Sequence, residues 1–241
     1  VYIGREAGKG SGTGNNATAN ILIGYQAGTA ISTGDAETAV GYQAAYSLTT
    51  GNSNSSLGYR ALYYNQAGTA AVAVGINAGY MFGRGGHSAD GSIFMGSAAG
   101  YYATGSYNVF IGYESGKGSA SSTPYSSGEN NIGMGYRSLN SFTSGDDNIA
   151  LGYSSGVALT SGDDNVLIGK NTAINLTTGT NNIAIGENAL YLENSGTYAI
   201  AIGYRAGYKN RISGTNYNTF MGYNAGREVS TGNHNTLLGN H

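Results

Sequence analysis

Asn182-Ile183-Ala184-Ile185-Gly186-Glu187-Asn188-Ala189 decides the reading of this chain, because near copies of it recur from one end to the other. With the motif glycine as position zero, the copies fall at Gly4, Gly24, Gly41, Gly58, Gly75, Gly96, Gly112, Gly135, Gly152, Gly169, Gly186, Gly203, Gly222 and Gly239. Eight of the thirteen gaps are 17 residues long, and the rest are 16, 19, 20, 21 and 23. A fixed short period is the mark of a solenoid or array. The residue before the glycine is aliphatic in every copy, and the residue two places earlier is mostly β-branched, as in Val72, Ile149, Val166 and Ile183. That is the period-two spacing of a β-strand. These two flanking positions are expected to face a core and the position between them to face outward.

Working outward from the motif, the regular coils carry a second glycine ten residues later: Gly34, Gly51, Gly68, Gly145, Gly162, Gly179, Gly196 and Gly232. Its Thr, Ser, Ala, Asp and Asn neighbours predict a tight turn with a positive φ. Seven residues after the motif glycine, Ile31, Leu48, Phe142, Leu159, Leu176 and Val229 predict a short second strand. Two strands and two turns close a flat coil. Stacking about 14 coils at about 4.8 Å gives a parallel β-solenoid, or β-roll, roughly 65 Å long. Asn20, Asn54, Asn108, Asn131, Asn148, Asn165, Asn182, Asn218 and Asn235, four residues before the glycine, are expected to form a stacked amide ladder.

The whole chain, 1–241, reads as a single all-β repeat domain, and its open coils at both ends suggest a segment of a longer fibre. Forty-two glycines, one proline, no cysteine, no tryptophan and 10% charged residues fit turn-dense β structure. A net charge of -2 with scattered Lys and Arg argues against a nucleic-acid surface. No apolar run approaches the roughly 20 residues of a membrane span, so no membrane insertion is expected. Without cysteine there is neither a disulfide framework nor a thiolate metal site.

The middle strand position is itself apolar in most copies, including Leu22, Phe94, Phe110, Leu167, Phe220 and Leu237. A strand apolar on both sides is buried on both sides, and so long an apolar ladder exceeds what a monomer exposes. Partner copies of the same chain are the expected cover.

Asn131 to Ser138, Asn148 to Ser155, Tyr198 to Gly207 and Asn218 to Gly226 resemble the Asn-x-Ala-Ile-Gly-Tyr-x-Ala-Gly repeats of phage tail-fibre proteins and the head repeats of trimeric autotransporter adhesins. The resemblance implies parallel β-rolls assembled as a homotrimer, extracellular, on a virion or a cell surface. The 17-residue coil is longer than the usual adhesin-head repeat, and no neck, coiled coil or membrane anchor accompanies it. On this basis the chain is expected to be a non-enzymatic fibre shaft segment that holds or contributes to receptor binding, on surface polysaccharide or an outer-membrane receptor. A bacterial adhesin head is the alternative within the same architecture.

The repeat-defining structural glycines are Gly24, Gly41, Gly58, Gly135, Gly152, Gly169, Gly186, Gly203 and Gly222. Candidate binding residues lie in the two longest insertions, Phe82, Arg84 and His87 in the 21-residue gap and Lys117 and Tyr125, beside Pro124, in the 23-residue gap. Exposed rings there would stack on sugars while a cation meets an acidic group. Tyr25, Tyr42, Tyr59, Tyr113, Tyr136, Tyr153, Tyr204 and Tyr223 follow the motif glycine and form a partial aromatic ladder, read mainly as packing between coils. Asp146, Asp147, Asp163 and Asp164 gather four carboxylates in successive coils, a candidate Ca²⁺ position, although the solvated-turn reading needs no metal and no cofactor. Three histidines, His87, His234 and His241, are too few for a site. Thr33, Thr49, Thr50, Thr143, Thr160, Thr177, Thr178 and Thr231 raise a rival from another class, an ice-binding solenoid with a hydroxyl ladder.

Overall fold

The computed structural model describes residues 1–10, 16–86, 89–120 and 125–240. His87, Pro124 and His241 lie outside the described residues. The chain is a parallel β-solenoid of about 13 turns with a repeat near 17 residues. Its backbone gathers into two compact units, Val1–Ser127 and Gly128–His241.

In the first unit seven short strands follow one another: β1 Tyr2–Ile3, β2 Ile21–Ile23, β3 Thr38–Val40, β4 Ser55–Leu57, β5 Val72–Val74, β6 Ile93–Met95 and β7 Val109–Ile111. Each pairs in parallel with the next, motif on motif, as in Leu22 against Ala39 and Phe94 against Phe110. In the second unit β8 Ile132–Met134, β9 Ile149–Leu151, β10 Val166–Ile168, β11 Ile183–Ile185, β13 Ile200–Ile202, β15 Thr219–Met221 and β16 Thr236–Leu238 stack in the same manner. A small side sheet pairs β12 Gly196–Thr197 with β14 Gly214–Thr215. Equal coil lengths put residues 17 apart on the same rung, so the sequence period sets the register.

The inward and outward sense of the motif strand is the reverse of the sequence expectation. Leu22, Ala39, Phe94, Phe110, Leu167 and Phe220, the middle residues, are fully buried within the chain itself. The flanking aliphatics face away: Ile21 is 42% exposed, Leu57 51%, Met134 41% and Met221 42%. A period of two says that flanks and middle face opposite ways; over three residues it does not say which side is inside. The column of small residues in the middle, Ala39, Ser56, Ala73, Ala150, Ala184 and Ala201, reflects the limited room within a narrow coil. Opposite this column the core is completed by Ile31, Leu48, Phe82, Phe142, Leu159 and Leu176, all buried.

The side carrying these last residues is built of turns and bends rather than the expected second strand. Coil-to-coil backbone hydrogen bonds still run along it, such as Ser47 N–H to the Tyr63 carbonyl at 3.0 Å and Leu192 N–H to the Tyr208 carbonyl at 3.0 Å. The second glycine also differs in its reason for being glycine. Gly51 and Gly162 do not have positive φ; a Cβ there would lie 2.3 and 2.1 Å from the carbonyl oxygen of the glycine one coil on, Gly68 and Gly179. The motif glycine carries both constraints: Gly186 has φ +128°, and a Cβ would meet the Gly203 oxygen at 2.5 Å.

The asparagine column forms the expected ladder. Asn148 donates N–H and Nδ2 to Asn131 Oδ1 at 3.0 Å each, Asn165 repeats this on Asn148, and Asn182 on Asn165. Each Nδ2 also reaches the turn-glycine carbonyl of its coil, Gly162, Gly179 and Gly196, at 2.8 to 2.9 Å. Buried polar groups are thereby partnered.

Candidate functional site

Two of the five insertion residues singled out from sequence come together. Arg84 opens a short 3₁₀ turn, Arg84–Gly86, that adds length to its coil after Phe82 and Gly83. Its guanidinium lies 4.9 Å from the Tyr64 ring centroid and 5.1 Å from that of Tyr125, donates to the Tyr125 hydroxyl, and contacts Met81 Sδ at 3.6 Å. A cation held between two ring faces gains from both quadrupoles, so Arg84 ties the two insertions to each other.

Phe82 is a correction. It stands seven residues after Gly75, the position of Ile31, Leu48 and Phe142, and is fully buried against Phe94 at 5.3 Å between centroids. Counting from the motif glycine, rather than treating the whole gap as an insertion, identifies it as core. Lys117 is committed to Glu114 by a 2.8 Å ion pair. His87 falls outside the described residues.

Around Arg84 lies a tyrosine column that the sequence reading passed over. Tyr46, Tyr63, Tyr80 and Tyr101 each stand five residues after a motif glycine. Their rings stack at 5.0, 5.2 and 4.6 Å, with interplanar angles of 5°, 13° and 20°. Tyr64 meets Tyr63 and Tyr80 edge-on, Tyr102 meets Tyr101 edge-on, and Tyr125 stacks on Tyr102 at 5.9 Å. Arg60 bridges this column to the ladder after the motif glycine, lying 5.3 Å from Tyr63 and 5.1 Å from Tyr59, and its Nε donates to Gln43. The second unit repeats the device with Arg205 between Tyr204, at 5.0 Å, and Tyr208, at 5.5 Å. Stacked rings turn their faces to each other, so along the column edges and hydroxyls, not open faces, are what remain for a ligand. Burial pushes Tyr63 and Tyr101 up and Tyr80 up to about 12, so the column stays neutral at physiological pH.

The carboxylates of the second unit are arranged for backbone contacts. Asp146 Oδ1 accepts the Glu129 N–H at 2.7 Å, and Asp163 Oδ1 accepts the Asp146 N–H at 2.9 Å. Asp147 and Asp164 occupy left-handed turn positions, both at φ 57°. Among the described residues no group of three or more His, Asp or Glu is placed to hold a metal ion. A hollow of about 400 Å³ lies beside Asn175, Asn194, Arg211 and Ser213, with Glu193 in its wall. The Glu193 carboxyl accepts the N–H groups of Asn194, Gly196 and Ile212 and the Asn216 amide, and burial raises its pKa despite them. It holds a turn together.

The hydroxyls of Thr143, Thr160 and Thr177 donate to carbonyls one coil on, at Thr160, Thr177 and Asn194, over 2.9 to 3.1 Å. They are tied to backbone rather than arrayed for water. By architecture, then, the chain is a parallel β-solenoid repeat protein. No protein-family model, curated protein or solved structure matches it.

Proposed function

We propose that this chain is a structural and adhesive shaft segment of an extracellular surface fibre, of the phage tail-fibre kind, assembled as a homotrimer. The observation that carries the reading is the flanking aliphatic face. Each unit fills its own core with the middle column and still presents Ile, Val, Leu and Met in two parallel columns outside it. Contiguous apolar surface on that scale marks an interaction face, and a repeating face is suited to repeating copies of itself. The trimer proposal thus rests on Ile21, Leu57, Met134 and their neighbours, and no longer on Leu22 and Phe94, which the chain buries unaided.

Receptor contact, on surface polysaccharide or an outer-membrane receptor, is placed in this proposal at the converging insertions around Arg84 and Tyr125. The threonine geometry gives the ice-binding alternative no support, because those donors already have carbonyl partners. No helix among the described residues is long and apolar enough to cross a membrane.

Sedimentation equilibrium is the test. The expected mass is three times the chain's 24.6 kDa, falling to one when Ile168→Glu and Ile185→Glu place charges in the flanking column. A soluble wild-type monomer at micromolar concentration defeats the assembly proposal.

A further inference from the structure

We infer that the column Tyr46–Tyr63–Tyr80–Tyr101 is a site of oxidative modification, at which a peroxide-class oxidant joins neighbouring coils through dityrosine bonds. The inference goes beyond the shaft reading and does not depend on the number of copies assembled. Rings related by translation along a stack hold corresponding atoms about as far apart as their centroids. Here those separations are 5.0, 5.2 and 4.6 Å, so ortho carbons of neighbours are held together before any oxidant arrives. Fixing two reactants side by side turns a bimolecular coupling into an intramolecular one.

Composition directs the chemistry to the same place. The chain has 21 tyrosines but no cysteine and no tryptophan, so the thiol chemistry that would otherwise intercept an oxidant is absent. Tyr46, Tyr63, Tyr80 and Tyr101 are all half-buried, reachable by small reagents yet restrained by their neighbours. In the step, each of two phenols loses one electron and one proton. The radicals pair through their ortho carbons, forming one C–C bond, and the two ortho hydrogens move to the phenolic oxygens as the rings regain aromaticity. Two electrons and two protons leave in all. The O–O bond of the oxidant takes up both electrons and breaks; hydrogen peroxide would take both protons as well, giving two waters.

The test uses the whole folded chain, a visible-light ruthenium sensitiser, and peroxydisulfate, which is reduced to two sulfates. Dityrosine fluorescence should appear, and trypsin, cutting after Lys9, Arg60, Arg84 and Lys117, should release peptide 10–60 joined to 61–84 and 61–84 joined to 85–117. Their yield should be independent of protein concentration and about tenfold or more above that of the urea-unfolded chain. Tyr63→Phe with Tyr80→Phe keeps the rings and should abolish both species. The inference is overturned if the joined peptides are absent from the folded protein, if unfolding leaves their yield unchanged, or if they persist in the double variant.

Discussion

In Gly128–His241 the position four residues before the motif glycine is asparagine at Asn131, Asn148, Asn165 and Asn182 in succession, whereas in Val1–Ser127 the same column reads Asn20, Glu37, Asn54, Ala71, Ser92 and Asn108. The uniform run repeats one set of bonds near 3.0 Å. The mixed run must satisfy the same backbone by other means. Glu37 N–H still donates to Asn20 Oδ1 at 2.8 Å, and Ala71 N–H to Asn54 Oδ1 at 3.0 Å. Asn54 reaches the Glu37 carboxyl only at 3.2 to 3.3 Å, and Ser92 Oγ serves Asn108 at 3.1 Å. The backbone's polar demand is set by the coil, and the side chain that meets it is exchangeable, at a cost that depends on local substitutes.

The largest effect should be the one the two units share. Gly41→Ala and Gly186→Ala place a side chain at φ +141° and +128°, with Cβ 2.4 and 2.5 Å from the carbonyl oxygen of Gly58 and Gly203. Strain and overlap with backbone that cannot retreat should cost about 3 kcal/mol or more in either unit. Gly214→Ala, at φ +82° with nothing within 4 Å, should cost about 1 kcal/mol from strain alone. Urea unfolding of the three variants decides the matter; a motif-glycine variant as stable as wild type would mean that coils slide apart easily.

Next comes the ladder itself. Asn165→Ala removes the acceptor of the Asn182 N–H and the donor to the Gly179 carbonyl, and two unsatisfied buried groups should together cost roughly 2–5 kcal/mol. Asn54→Ala should cost less, because the Gly68 carbonyl it serves also accepts from Asn65 Nδ2 at 3.2 Å. Equal losses would show that the mixed run has no local substitute.

Glu37 makes the mixed run pH-dependent. Burial raises its pKa from 4.5 to about 8, so the folded state holds the proton more tightly than the unfolded chain. Its favourable contribution is complete below about pH 4.5 and is lost as the pH rises through about 8. Glu37→Asn, which restores the ladder residue, should stabilise the protein at pH 8 by roughly 2–4 kcal/mol and flatten the pH dependence of unfolding. Some slope should remain, since Glu193 is raised by burial in the same direction. A variant whose loss of stability between pH 5 and 8 equals that of wild type would refute this assignment.

Much of this was legible in the sequence. The period gave strand positions, parallel order and register, because a 17-residue offset is the rung itself, as in Val166 against Ile149. The sense of the strands was not legible: both faces of Val166–Ile168 are apolar, and three residues are too few for polarity to separate inside from outside. The column of Tyr46, Tyr63, Tyr80 and Tyr101 could have been found by counting five from each motif glycine across the uneven gap before Gly96. The meeting of Arg84 with Tyr125 could not, since 41 residues and two coils of irregular length separate them.

The smallest effect is expected at the aspartate corner, where the two units again use different residues for one task. Asp35 N–H donates to Asn52 Oδ1 at 2.8 Å in the first unit, while Asp146 N–H donates to Asp163 Oδ1 at 2.9 Å in the second. An amide oxygen and a carboxylate oxygen therefore perform the same service, and the negative charge of Asp163 is not what the backbone requires. Asp163→Asn should accordingly change stability by less than about 0.5 kcal/mol, and the sign should be favourable at low salt because it relieves repulsion with Asp146 one coil away. The same geometry predicts the response to metal. Millimolar Ca²⁺ or a chelator should leave the melting temperature of wild type and Asp163→Asn alike, since the carboxylate oxygens are engaged by backbone donors. A Ca²⁺-dependent rise in wild type that Asp163→Asn removes would restore the corner as a cation site and make charge, after all, the difference between the two units.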